Sequence, residues 1–188
     1  SSAASDVYKR QEQALIQFYY QFHKNQHYFL CHDILEEAWK ENNDYSKQDA
    51  VVSLILCATA CYHYRRRNFK GAIKSFNKAK QVITHASRKD QMTLHLDIAM
   101  YIQLLEMQID RVEQQLPFIP IQLPINIQML NQLELTFPDY YFMSTPVKNE
   151  NIVHHHLLRD RSEVELARQA ALEERHYKIK DIDNKKDQ

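Results

Sequence analysis

One glycine, Gly71, serves all 188 residues of this chain. Walker loops, dinucleotide fingerprints and nucleophile elbows each need several glycines, because their backbone turns with positive φ or closes tightly on a ligand. None of them can be built here. Tight two-residue hairpins draw on the same residue, so an extensive β-meander is excluded and a mostly helical chain is expected. Net charge is lacking too, with 24 Lys and Arg against 24 Asp and Glu. A protein that neutralises phosphates, or that is held electrostatically on an anionic membrane, needs a basic excess. Neither nucleic acid nor membrane is therefore expected as a partner. The longest apolar run, residues 50–61, falls short of the roughly 20 residues that span a bilayer. No charged-then-apolar signal opens the chain. The three cysteines, Cys31, Cys57 and Cys61, are an odd set without CxxC spacing. Free thiols in the reducing cytoplasm are the expectation.

What is present is helical periodicity. Leu15, Phe18, Tyr19 and Phe22 predict a first amphipathic helix over 7–24. A second, over 28–41, carries the stripe Tyr28, Cys31, Leu35, Ala38 and Trp39. Ser46 and Asp49 form a capping pair before a third helix, 47–66, which is apolar almost all round and so should be central. Asn68 caps a fourth, 69–86, with Ala72, Phe76, Ala79 and Ile83 inward. Ile98, Ile102, Leu105, Ile109, Val112 and Leu116 predict one long fifth helix over 91–116, stopped by Pro117. Pro120 and Pro124 then interrupt an apolar stretch that reads as an extended arm, with a short helix near 129–135. Ser162 and Glu165 suggest a last helix running to about Tyr177. The expected fold is all-α, a compact antiparallel bundle of about five helices. Its segments are a bundle domain 1–116, an arm 117–150 packed on it, and a C-terminal helix with a frayed tail 151–188.

The chemistry concentrates on the second helix. His32 and Glu36 lie four apart on one face, beside Trp39, and such a pair can bind a metal, move a proton, or simply hydrogen-bond and lock helix packing. A metal needs a third ligand. His63, near the end of the third helix, is the candidate, with Asp33 in reserve because its predicted face points away. Gly71 sits in a first helical turn where alanine has the better propensity. It predicts close approach by another backbone or a bulky side chain, with the Trp39 indole or the end of the second helix as the candidate. The tract His154-His155-His156 cannot converge on one point and reads as surface. Cys57 and Cys61 read as core filler.

The motif His32, three residues, Glu36, two residues, Trp39 resembles the hallmark of the domain of unknown function 309 family of bacteria and archaea. The stretch Tyr62-His63-Tyr64-Arg65-Arg66-Arg67-Asn68-Phe69-Lys70-Gly71-Ala72 is similar to the family's second block in its His, Asn, Gly and Ala. The likeness covers residues 27–85. It implies an all-helical fold and a suggested metal role for the histidine–glutamate motif, without an established activity.

The leading expectation is a cytoplasmic protein with a polar pocket at His32, Glu36 and His63 that binds a divalent metal ion or a small ligand. Trp39, Asp33, Asn68 and Gly71 surround that pocket, and metal-assisted hydrolysis is the reaction class it would support. The rival expectation is a helical-hairpin interaction module resembling a tetratricopeptide pair, in which His32, Glu36 and Trp39 are structural. In that case the 117–150 arm would dock on a second copy or on a protein partner.

Overall fold

The Ser2 hydroxyl accepts a hydrogen bond from Ser5 N (3.1 Å) and starts the first helix, α1, Ala3–Tyr20. In this computed structural model, residues 2–155, 168–170 and 172–173 are described. After α1 come α2 (Tyr28–Lys40), α3 (Ala50–Arg65), α4 (Phe69–His85), α5 (Arg88–Met92), α6 (Ile98–Glu113), α7 (Ile127–Thr136) and α8 (Glu150–Val153). Among the described residues there is no strand, only an isolated antiparallel bridge between Leu96 and Ile125. Residues 1–155 form one compact unit and residues 156–188 a second. In the second, residues 168–170 and 172–173 are helical. The helix expected from Ser162 otherwise lies outside the described residues. No described helix is long and apolar enough to cross a membrane.

The nearly all-round apolar α3 is the central helix. Ala50, Leu54, Cys57, Ala58, Ala60 and Cys61 are fully buried, and α1, α2, α4 and α6 share the same core. Its buried serine has two partners. Ser53 Oγ lies 2.7 Å from Ala79 O of α4 and 2.8 Å from the Tyr101 hydroxyl of α6, joining three helices at one polar point. The three cysteines are free and buried, and burial pushes the Cys31 and Cys61 thiols up.

Three departures from the sequence expectation have physical causes. First, the long fifth helix is broken. Leu94 and Leu96 turn inward, His95 takes a left-handed backbone (φ 57°), and Asp97 caps a new helix through Met100 N. The break lets residues 95–97 pair with the arm, through Asp97 N to Pro124 O (2.9 Å) and Asn126 N to His95 O (2.8 Å). Second, α1 ends in a π turn, Gln21–Asn25, with Gln26 left-handed (φ 52°). The wider turn places His23 inside. There its Nε2 accepts from Leu123 N (2.9 Å), so Nδ1 carries the proton toward the Tyr140 hydroxyl (2.8 Å). Third, Asp49 does not cap α3 with its side chain. Its Oδ2 takes Ser46 N and the Trp39 indole N–H, while Ala50 N is satisfied by Asp90 from α5 (2.7 Å).

Residues 117–126 run extended over the bundle, with Ile121 and Leu123 buried. Each of those side chains contributes about 1.5–3 kcal/mol on leaving water. Phe118 sits edge-on to both Tyr28 and Tyr64. The Tyr64 hydroxyl donates to Leu116 O (2.6 Å), fixing where the arm departs.

Candidate metal centre

Helix α2 buries Tyr28, Cys31, Leu35 and Ala38, and this sets the remaining faces. His32 falls at the margin, its side chain 32% exposed, level with Glu36 at 32% and beside Asp33 at 45%. The imidazole is held between two carboxylates. Nδ1 lies 3.0 Å from Asp33 Oδ1, and Nε2 lies 3.2 Å from Glu36 Oε2. Lys40 Nζ, one turn further on, holds the other oxygen of Glu36 at 2.6 Å. A neutral ring has one N–H and can donate to only one of these carboxylates. Its other nitrogen would then present a lone pair to an oxygen, an arrangement that a proton or a metal ion relieves. One ligand atom from each of His32, Asp33 and Glu36 can be chosen so that all lie within 4.8 Å of one another, the single such grouping among the described residues.

Asp33 therefore joins the cluster although helical periodicity turns it away. The imidazole bends to its sequence neighbour through Nδ1 while Nε2 spans the turn to Glu36. His63 is not in this grouping. Its Nδ1 lies 3.2 Å from the Asn68 amide, and burial, with Arg66 nearby, lowers its affinity for a proton. His63 and Asn68 are also the neighbours that Gly71 makes room for. A Cβ at Gly71 would stand 2.7 Å from Asn68 Nδ2 and 3.1 Å from His63 Cδ2. The crowding groups are thus the N-cap and the end of α3, not the Trp39 indole or the end of α2. Trp39 donates to Ser46 O (3.2 Å) and Asp49 Oδ2 (3.0 Å) and packs edge-on against Tyr45.

Other histidines gather nearby, and no sequence spacing signals it. His27 Nε2 meets His155 Nδ1 at 2.7 Å, and His155 stacks on Phe29. Burial, then the neighbouring His155 and Arg65, lowers His27 to about 4, against a smaller opposing effect of Asp33. His154 turns to Arg66 Nε (3.1 Å) instead. The two described members of the tract thus go to different partners, as expected of consecutive residues.

His32 Nε2 and Glu36 Oε2 thus lie within ion-pair distance, each has a further partner in Asp33 or Lys40, and both side chains are partly exposed. Residues 15–75, from mid-α1 to the first turns of α4, match the family model described as domain of unknown function (DUF309). That span contains the whole cluster and the Asn68–Gly71 cap. The chain is also 30% identical over 166 residues to the uncharacterized protein YpuF of Bacillus subtilis (strain 168), an alignment covering 86% of this chain and 95% of that relative. No solved structure matches the chain. With the motif, the matched span and the near full-length relative in agreement, the chain belongs to the DUF309 family.

Proposed function

We propose that this protein binds a divalent metal ion through His32, Asp33 and Glu36. The observation that supports this is the convergence of one nitrogen and two oxygen ligands within 4.8 Å on two turns of one helix. One imidazole with two carboxylates is a donor set suited to zinc, manganese or ferrous iron rather than to a thiolate-preferring ion. Three protein ligands on a partly exposed face leave coordination positions for water, as in catalytic rather than closed structural sites. A bound ion would supply Lewis acidity and an activated water, the chemistry of metal-assisted hydrolysis. The chain's own residues would divide the remaining work. Glu36 serves as ligand or as base, and Lys40 fixes its second oxygen. The reading places the protein in the cytoplasm, where its three buried free thiols suit a reducing compartment.

Elemental analysis of untagged protein tests this directly. Purified protein is expected to retain close to one equivalent of metal. His32→Ala and Glu36→Gln should each lose it while keeping the helical circular-dichroism spectrum and a cooperative melt. Protein that carries no metal, takes none up on dialysis, and is merely less stable as His32→Ala would instead leave the cluster a structural ion-pair chain.

A further inference from the structure

Between α1, α2 and the start of α3 lies a cavity of about 150 Å³, and none of His32, Asp33 or Glu36 lines it. Leu15, Leu35 and Leu94 give it apolar walls, and Trp39 forms one side. Tyr8, 57% exposed, stands at the cavity and faces solvent. Three carboxylates also line it, Glu12, Asp49 and Asp90, and among the described residues no lysine or arginine does.

The donors that hold these carboxylates are mostly neutral. Asp49 takes the Trp39 indole N–H and Ser46 N, and Asp90 takes Ala50 N. Each of these contacts positions an anion without neutralising it, and among the described residues neither Asp49 nor Asp90 has a cationic partner. Glu12 faces the His95 imidazole, Nε2 at 2.8 Å, so among the described residues two of the three carboxylates have no cationic side chain beside them. Carboxylates and apolar side chains in one lining, with an indole among them, complement a compact cation carrying a short hydrocarbon body. A cavity near 150 Å³ accommodates a body about the size of benzene, or roughly four to five carbons of a chain.

We propose that the cavity bounded by Trp39, Glu12, Asp49 and Asp90 binds a primary alkylammonium group. Such a group is carried by a free short-chain amine or by a lysine side chain. The proposal is independent of the metal cluster, whose ligands lie outside the cavity.

The protein reports on this site itself, because Trp39 is its only tryptophan. The full-length chain is titrated with n-pentylamine and, in a second arm, with Nα-acetyl-lysine amide. Binding is read by Trp39 emission and by calorimetry at neutral pH. The expected result is saturation by at least one amine below about 10 mM, the weak range open to a ligand of so few atoms. The arm that saturates at lower concentration identifies the source. Pentanol and pentanoate, matched in size but neutral or anionic, should not saturate over that range. Glu12→Gln should weaken the amine tenfold or more. Ala38→Leu, which fills the cavity from α2, should abolish binding while the melt remains cooperative. Equal saturation by pentanol would overturn the proposal, leaving only an apolar hole. Absence of saturation by both amines in a folded protein would overturn it as well.

Discussion

At the scale of single residues, the lone glycine shows how local chemistry and tertiary space compete. Alanine at Gly71 would gain up to about 1 kcal/mol of helix propensity. Its Cβ, however, would lie 2.7 Å from the Asn68 amide, whose oxygen caps α4 by accepting from Gly71 N at 3.1 Å. Asn68 cannot retreat without releasing a cap worth about 1 kcal/mol and its bond to His63. Gly71→Ala is therefore expected to destabilise the protein by about 1 kcal/mol in urea unfolding, with propensity only partly offsetting the lost cap and the crowding. In an Asn68→Ser background, where a shorter side chain caps without crowding, the same change should be neutral or favourable. A destabilisation of equal size in both backgrounds would place its cause elsewhere. The sequence shows that something crowds Gly71, and that His32 and Glu36 share a face. It does not show what crowds the glycine, because Asn68 and His63 meet it through the turn between α3 and α4. Nor does it show Asp33 joining the cluster, because periodicity describes Cβ directions and not the reach of a ring with a nitrogen on each side.

At the scale of elements, apolar spacing located α2, α3 and α4 to within a few residues, since each buries a continuous stripe. It failed where tertiary pairing overrode a repeat that continues in sequence. Ile98 to Val112 keeps helical spacing, yet upstream of it Leu94 and Leu96 are drawn inward and the chain breaks at His95 to meet the arm. The π turn after α1 is equally silent in the sequence, although it determines how His23 behaves. Burial holds His23 down at about 4, against 6.5 for the ordinary side chain, because its charged form would sit in the core. Between those two values the unfolded chain takes up a proton that the folded one refuses. Its contribution is thus complete above pH 6.5 and is lost as pH falls toward 4, about 3 kcal/mol in full. His23→Gln keeps an acceptor for Leu123 N and removes the titration. Urea midpoints of the native protein should fall across that window, and those of the variant should fall distinctly less. Parallel curves would mean that His23 does not govern the acid sensitivity.

At the scale of the whole molecule, one core joins α1, α2, α3, α4 and α6 with the arm from Ile121 to Leu123 and with α7. The all-α class follows from composition alone, since a chain with one glycine has few means to turn sheets. How the arm closes the bundle depends instead on individual long-range hydrogen bonds, such as Leu123 N to His23, that no local pattern encodes. The three cysteines sit in this shared core, two on α3 and one on the adjoining face of α2, each with no accessible surface. A thiol reacts only as an exposed thiolate. None of the three can therefore meet a reagent through fraying of a terminus or movement of a loop; the central helix must separate from its neighbours first. The cysteines are in effect a clock for global opening. Under native conditions Cys31, Cys57 and Cys61 should be modified by a maleimide in one kinetic phase, with no partly labelled species accumulating when excess reagent traps every opening. A single fast-reacting thiol, seen by mass spectrometry as an early one-label peak, would reveal that the core opens in parts.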